Sequence, residues 1–194
     1  DLERLRRSQK HLLRLIDELL NYARVETGSV RLTLGEVCVR DALASVETLI
    51  MPQLRAKNFS LVVAPCTAEL VAYADEEKLQ QILLNLLSNS SKFTSDGGTI
   101  EMSASRSVNA HGRDLVEIRV ADNGIGIPAE HLESIFQPFV QVGRALNHPV
   151  EGTGLGLAIS RDLARSMNGD LVARSEMDVG SEFVLSLPTV QAGL

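Results

Sequence analysis

Asn85-Leu-Leu-Ser-Asn89-Ser-Ser-Lys92 combines a packing pattern with a chemical one. The leucines at 83, 84, 86 and 87 continue an apolar repeat that starts near Glu76, and the spacing predicts a core-packed helix over 76–92. Asn85, Asn89 and Lys92 recur at i, i+4 and i+7, so all three project from one side of that helix. Two amide oxygens and an ammonium on one stripe can serve a hard cation and a polyphosphate together. Mg²⁺ in particular prefers one or two protein oxygens supplemented by water and substrate phosphates. A solvated polar face has the same pattern, so the stretch alone leaves both readings open.

Outward from this helix, Val30, Leu32 and Leu34 alternate with polar residues and predict a strand, and 39–57 predicts a helix that Pro52 should kink or shorten. Short strands are expected near 59–64 and 69–73. Asp96-Gly97-Gly98 marks a turn, after which strands near 99–107 and 114–121 flank the polar loop from Asn109 to Arg113. Asp122 to Gly156 is rich in Gly and Pro and reads as mostly irregular. A helix at 155–168 and strands at 170–176 and 181–187 follow. Helices and strands are interspersed without strict β-α-β alternation, which predicts an α/β fold, a two-layer α/β sandwich with a mixed sheet.

Ahead of this unit, residues 1–27 read as one long helix. Leu2, Leu5, Leu12, Ile16, Leu19 and Ala23 recur at alternating three- and four-residue spacings, with Gln9 in the one polar slot. Leu13, Leu15 and Leu20 widen the stripe beyond a two-stranded seam, which suits a helix of a four-helix bundle. A single helix packed on its own domain is the alternative. Gly28 is positioned to end it, dividing the chain into 1–27 and 28–194.

The chain has 194 residues, 44% of them hydrophobic, enough to bury a core and to exclude a disordered tail. With 25 acidic and 19 basic residues, net -6, it lacks the broad basic surface of a nucleic-acid binder. Cys38 and Cys66 stand far apart with no CxxC and read as small core residues, not as a disulfide framework or zinc ribbon. No apolar run approaches the roughly 20 residues of a membrane helix, and the charged N-terminus has no signal-peptide core. A soluble, cytoplasmic chain making no membrane contact of its own is the expectation.

Three further stretches bear on chemistry. Asp122-Asn123-Gly124-Ile125-Gly126-Ile127-Pro128 follows a predicted strand; its carboxylate can accept a hydrogen bond from an exocyclic amine, and its glycines admit backbone close to a flat ring. Gly124-x-Gly126-x-x-Ala129 fits the dinucleotide fingerprint loosely. The acidic residue about 20 positions on and the β-α-β unit are both missing, so that reading is rejected, and a plain turn remains open. Gly152-Thr153-Gly154-Leu155-Gly156-Leu157 opens a helix, where backbone N–H groups and the helix dipole favour an anion. It is no Walker loop, since no Gly-Lys-Ser/Thr follows, and a flexible loop before a helix has the same composition. Gly180-Ser181-Glu182-Phe183 carries little by itself.

Together and in this order, the four stretches resemble the ATP-binding region of sensor histidine kinases. These lie within the wider GHKL family of heat-shock chaperone, mismatch-repair and type II topoisomerase ATPases. The N box resembles Asn85 to Thr94, the first glycine box Asp122 to Gly126, and the F box Phe136-Gln-Pro138-Phe139. The second glycine box is similar to Gly152 to Leu157 and the last to Gly180 to Phe183. Gln9-Lys-His11-Leu-Leu and Leu19-Leu-Asn-Tyr-Ala-Arg look like the second helix of the dimerisation hairpin. The resemblance runs to about Pro188 and implies a Bergerat-type ATP-binding fold preceded by one long helix.

It further implies ATP and Mg²⁺ as ligands. Asp122 would bind the adenine amine, with Gly124 and Gly126 lining the base pocket. Asn89, helped by Asn85, would hold Mg²⁺, and Lys92 would meet the phosphates together with Gly152, Thr153, Gly154, Leu155 and Gly156. Residues 140–156 resemble a mobile lid, with Arg144 its best phosphate contact and His148 a weaker one. Guanine presents an oxygen where adenine presents an amine, so ATP is expected over GTP. The chaperone and topoisomerase ATPases carry a glutamate where Asn85 stands. An amide cannot take a proton from water, so slow intrinsic hydrolysis is expected. The kinase family's phosphoacceptor context, His-Glu/Asp-x-Arg/Lys-Thr/Asn-Pro, surrounds none of His11, His111, His131 or His148, so the acceptor is expected outside this chain. Implied partners are a second copy, through the N-terminal helix of the full protein, and a response-regulator receiver domain. The alternatives are a non-catalytic nucleotide-binding interaction module signalling through its helix and an anti-sigma-type serine kinase.

Overall fold

The computed structural model describes residues 30–142 and 153–190, with scattered positions between 6 and 27. Among the described residues from 30 onward, seven strands and three α-helices follow in the order β1 (Gly35–Cys38), α1 (Val39–Arg55), β2 (Ser60–Val63), β3 (Val71–Ala74), α2 (Glu76–Phe93), β4 (Thr99–Val108), β5 (Asp114–Asp122), α3 (Gly156–Ser166), β6 (Asp170–Glu176) and β7 (Gly180–Pro188). The main sheet has the order β2-β4-β5-β7-β6, with β2 parallel to β4 and every other pair antiparallel. It is the mixed sheet of an α/β sandwich.

Strand alternation decides which side the helices cover. Val116, Ile118 and Val120 of β5 and Ile100 and Met102 of β4 are fully buried, whereas Glu117 and Arg119 face outward and pair at 2.8 Å. α2 packs between α1 and α3 and rests on β4 and β5, while α3 covers β6 and β7. The core side of α2 is Leu79, Ile82, Leu83, Leu86 and Leu87. Its start is fixed by Asp75, whose Oδ1 accepts the N–H of Lys78 at 3.1 Å, with Glu76 and Glu77 in the first turn against the positive end of the helix dipole.

Two expectations need correction. Residues 30–34 are irregular, not a strand. Val30, Leu32 and Leu34 do pack against the core, but the N–H of Thr33 goes to Asp75 Oδ2 at 2.7 Å, and β1 begins at Gly35, where β3 offers an antiparallel partner. Cys38 and Cys66 are half-buried rather than fully buried, though Cys66 packs against the core, and neither forms a disulfide. Pro52 sits in the last turn of α1, which runs through it and ends at Arg55.

Every described position from 6 to 23 is helical. Leu12, Leu13, Ile16, Leu19 and Leu20 are between 45% and 61% exposed, an open apolar stripe, and Tyr22 meets Phe139 edge-to-face at 6.3 Å. Leu2, Leu5, His11 and Gly28 lie outside the described residues.

Candidate functional site

The C-terminal end of β5 delivers Asp122 beside the last turns of α2. Its Oδ2 accepts a hydrogen bond from the Ser90 hydroxyl at 2.9 Å, and its Oδ1 accepts the N–H of Gly124 at 3.0 Å. The carboxylate is thus held by two donors and retains lone pairs for a third. Gly180 crosses directly behind it, and a Cβ there would run into the Asp122 carbonyl oxygen. Phe93 O, at the end of α2, accepts the N–H of Ile125 at 3.1 Å, tying helix and loop together.

Asp122 lines a cavity of about 550 Å³ together with Asn85, Asn89, Lys92, Gly126, Thr153, Gly154 and Gly156. The volume lies within the range of small-molecule sites. Asn85 donates through Nδ2 to Ser160 Oγ of α3 at 2.9 Å, and a Cβ on Gly156 would stand 2.5 Å from its Oδ1. That close approach explains a glycine at the first residue of α3. Lys92 Nζ stands 5.0 Å from the Phe93 ring centroid. Thr153 Oγ1 accepts the N–H of Leu155 at 3.2 Å, and Gly154, at φ +75, accepts the N–H of Phe139 at 3.0 Å.

Two residues expected in the pocket do not line it. Gly124 lies behind Asp122, where a Cβ would come within 2.8 Å of Asp122 Oδ1, so it orients the carboxylate from the rear. Leu155 is buried, its side chain in the core at the start of α3. Arg144, His148 and Gly152 lie outside the described residues.

Several further residues line the cavity. Ser181 and Phe183 come from the Gly180–Phe183 stretch, which had a signal. Ser90 lies in the Asn85–Lys92 stretch and His131 is weighed only as a phosphoacceptor, while Lys57 has no signal. Lys57 reaches the cavity from beyond α1 and donates to the carbonyl of Ser91 at 3.3 Å, a favourable cation at a helix C-terminus. The wall facing α2 runs through Gly126, Ile127 and Pro128 into two short 3-10 turns, Ala129–His131 and Ser134–Phe136. Arg161 of α3 fastens those turns. Its Nη1 contacts Glu133 Oε2 at 2.9 Å, its Nε reaches Asp170 Oδ1 at 3.3 Å, and its guanidinium lies 4.6 Å from the Phe136 ring centroid.

A model of the histidine kinase-, DNA gyrase B-, and HSP90-like ATPase family matches residues 74–191, which carry both walls of the cavity. The chain belongs to that family. It is 35% identical over 185 residues to the sensor histidine kinase RcsC of Escherichia coli (strain K12), covering 93% of this chain and 18% of RcsC. A match of equal identity to the autoinducer 2 sensor kinase/phosphatase LuxQ of Vibrio vulnificus covers 93% of this chain and 21% of LuxQ. Full-length ShkA in complex with AMPPNP aligns with a TM-score of 0.80 at 32% identity, over 99% of this chain and 39% of ShkA. The chain therefore carries a domain of this ATPase family that is similar to part of each of these proteins, and it spans between 18% and 39% of their length. None of the described helices is long and apolar enough to cross a membrane.

Proposed function

We propose that this domain binds Mg-ATP in the cavity and presents the γ-phosphoryl group to a histidine supplied from outside this chain, for onward transfer to a response-regulator receiver domain. The observation that carries the reading is Asp122, an acceptor-only group held by Ser90 and Gly124, sharing one cavity with the Asn85, Asn89 and Lys92 stripe. The carboxylate takes the adenine amine, Gly126 lets the base lie against backbone, and Lys92 and the glycine-rich start of α3 meet the phosphates. Arg144 and Gly152 are assigned to the phosphate end with them.

The donor set suits Mg²⁺ held mainly through the phosphates. No group of three or more His, Cys, Asp or Glu that could hold a metal occurs among the described residues, and the stripe offers amide oxygens. Asn85 is engaged with Ser160 and crowded by Gly156, which leaves Asn89 as the principal ligand. When bound, the cation neutralises charge developing on the transferred group. The protein's own contribution is positioning, because Asn85 offers no base to activate water. The exposed stripe of the N-terminal helix supports a homodimer in the full protein.

Thermal unfolding with ATP, ADP and GTP, with and without Mg²⁺, tests the site. Ligand at about 100 times its dissociation constant adds roughly 2.7 kcal/mol of stability. The expected result is an adenine-selective shift that grows with Mg²⁺, and Asn89→Ala should abolish the Mg²⁺ increment while sparing metal-free binding. Supplying a histidine-bearing hairpin with labelled ATP then tests transfer: an acid-labile product supports it, and an alkali-labile one indicates a serine kinase. Nucleotide binding without any product would support a non-catalytic interaction module.

A further inference from the structure

The wall facing α2 holds one ring that the reading above leaves without a role. His131 ends the first 3-10 turn, half-buried, and lines the cavity beside Ile127 and Pro128. Its N–H donates to the Pro128 carbonyl at 2.9 Å, which fixes the backbone. Ser134 fixes the ring: its hydroxyl donates to the His131 carbonyl oxygen at 3.1 Å, and Oγ lies 3.4 Å from Nδ1.

A hydroxyl has one proton. With that proton on the carbonyl, the contact to the ring is met by an Nδ1–H donating to Oγ, and the neutral imidazole then carries its lone pair on Nε2. Nε2 has no partner among the described residues. His131 is among the residues that line the cavity, and with Nδ1–H on Ser134 its Nε2 is the nitrogen left for a ligand there.

This acceptor selects among the parts of a nucleotide. Phosphate oxygens are themselves acceptors and repel it, and the base amine is taken by Asp122. A nucleotide with its base on Asp122 and its phosphates on Asn89 and Lys92 passes its sugar between these groups, and the sugar's hydroxyls are donors. We propose that His131 Nε2 accepts a hydrogen bond from a ribose hydroxyl, making the site selective for ribonucleotides over deoxyribonucleotides. The inference rests on the ATP reading of the cavity. A site built to pair a hydroxyl is left with an unmatched acceptor when that hydroxyl is missing, and one such hydrogen bond corresponds to about fivefold in affinity.

The test is a titration of the chain with Mg-ATP, Mg-2′-deoxy-ATP and Mg-3′-deoxy-ATP, repeated with His131→Phe and His131→Gln. The wild type is expected to bind ATP about fivefold more tightly than at least one deoxy analogue. His131→Phe should bind all three alike, and His131→Gln, whose Oε1 offers an acceptor in place of Nε2, should recover part of the preference. Equal affinities in the wild type overturn the inference without any variant, and so does a preference that survives in His131→Phe. Binding of none of the three by the wild type overturns the ATP reading itself, and the sugar assignment with it.

Discussion

α2 presents Asn85, Asn89 and Lys92 from a helix whose other face, from Leu79 to Leu87, is sealed into the core. The wall across the cavity, residues 123–142, has as its regular structure among the described residues two three-residue turns. It is held instead by single contacts: Ile127 N–H on Ser175 Oγ at 2.8 Å, Phe139 N–H on the Gly154 carbonyl, and Arg161 on Glu133 and Phe136. The helix wall gets its geometry from hydrophobic periodicity shared over many residues. The facing wall gets it from a few polar and glycine positions, each of which matters alone. Substitutions should therefore act differently on the two sides.

The largest effect is expected on the helix side. Leu86→Ala removes a fully buried side chain and should cost about 2–5 kcal/mol of stability, read as a lower urea midpoint. Molecules that remain folded should keep their nucleotide affinity. A substantial loss of affinity at full folding would show that core packing and site geometry are not separable here. At the junction of the walls, Asp122→Asn should weaken ATP by about 1.5–3 kcal/mol, roughly ten- to hundredfold, because a charge-assisted acceptor is lost. The same change should narrow the difference between ATP and GTP in a competition assay.

On the facing wall, Gly126→Ala tests how much one residue carries. Gly126 is at φ +73, and a Cβ there would collide with the backbone of Glu176. A destabilisation of about 1–3 kcal/mol is expected, accompanied by weaker nucleotide binding, unlike Leu86→Ala. Loss of stability with unchanged affinity in the surviving folded fraction would place Gly126 with the core rather than with the wall.

The same contrast explains what the sequence made legible. The helix predicted at 76–92 lies at Glu76–Phe93, because its period and its Asp75 cap are local signals. The alternation at 30–34 signals burial but not pairing, since a ladder needs a partner strand, and β3 at 71–74 pairs with 35–38 instead. Ser90 meets Asp122 across 32 positions, Lys57 meets Ser91 across 34, and Arg161 meets Glu133 across 28. No short pattern encodes those meetings. Gly124 shows the boundary case: its stretch identified it, but only the folded geometry puts it behind the carboxylate rather than on the cavity surface.

The smallest expected effect concerns the ion network behind the facing wall. Asp170 Oδ1 receives Arg165 Nε at 3.0 Å and Arg161 Nε at 3.3 Å. Burial alone would push its carboxyl up, but the N–H of Leu171 and the two guanidinium groups outweigh that and hold it below the ordinary aspartate range. A carboxyl whose folded pKa is depressed contributes stability above its unfolded pKa, about 3.9, and loses that contribution as pH falls through the lower folded value. Asp170→Asn should therefore be less stable than wild type near neutrality, and the gap should close as the pH drops below about 4. The side chain is 43% exposed, so the gap should be small and should shrink with added salt. Arg161 also carries the Glu133 and Phe136 contacts, so nucleotide affinity measured near neutrality should fall slightly in Asp170→Asn as well. An affinity unchanged in that variant would mean that Glu133 and Phe136 hold the wall on Arg161 without help from Asp170.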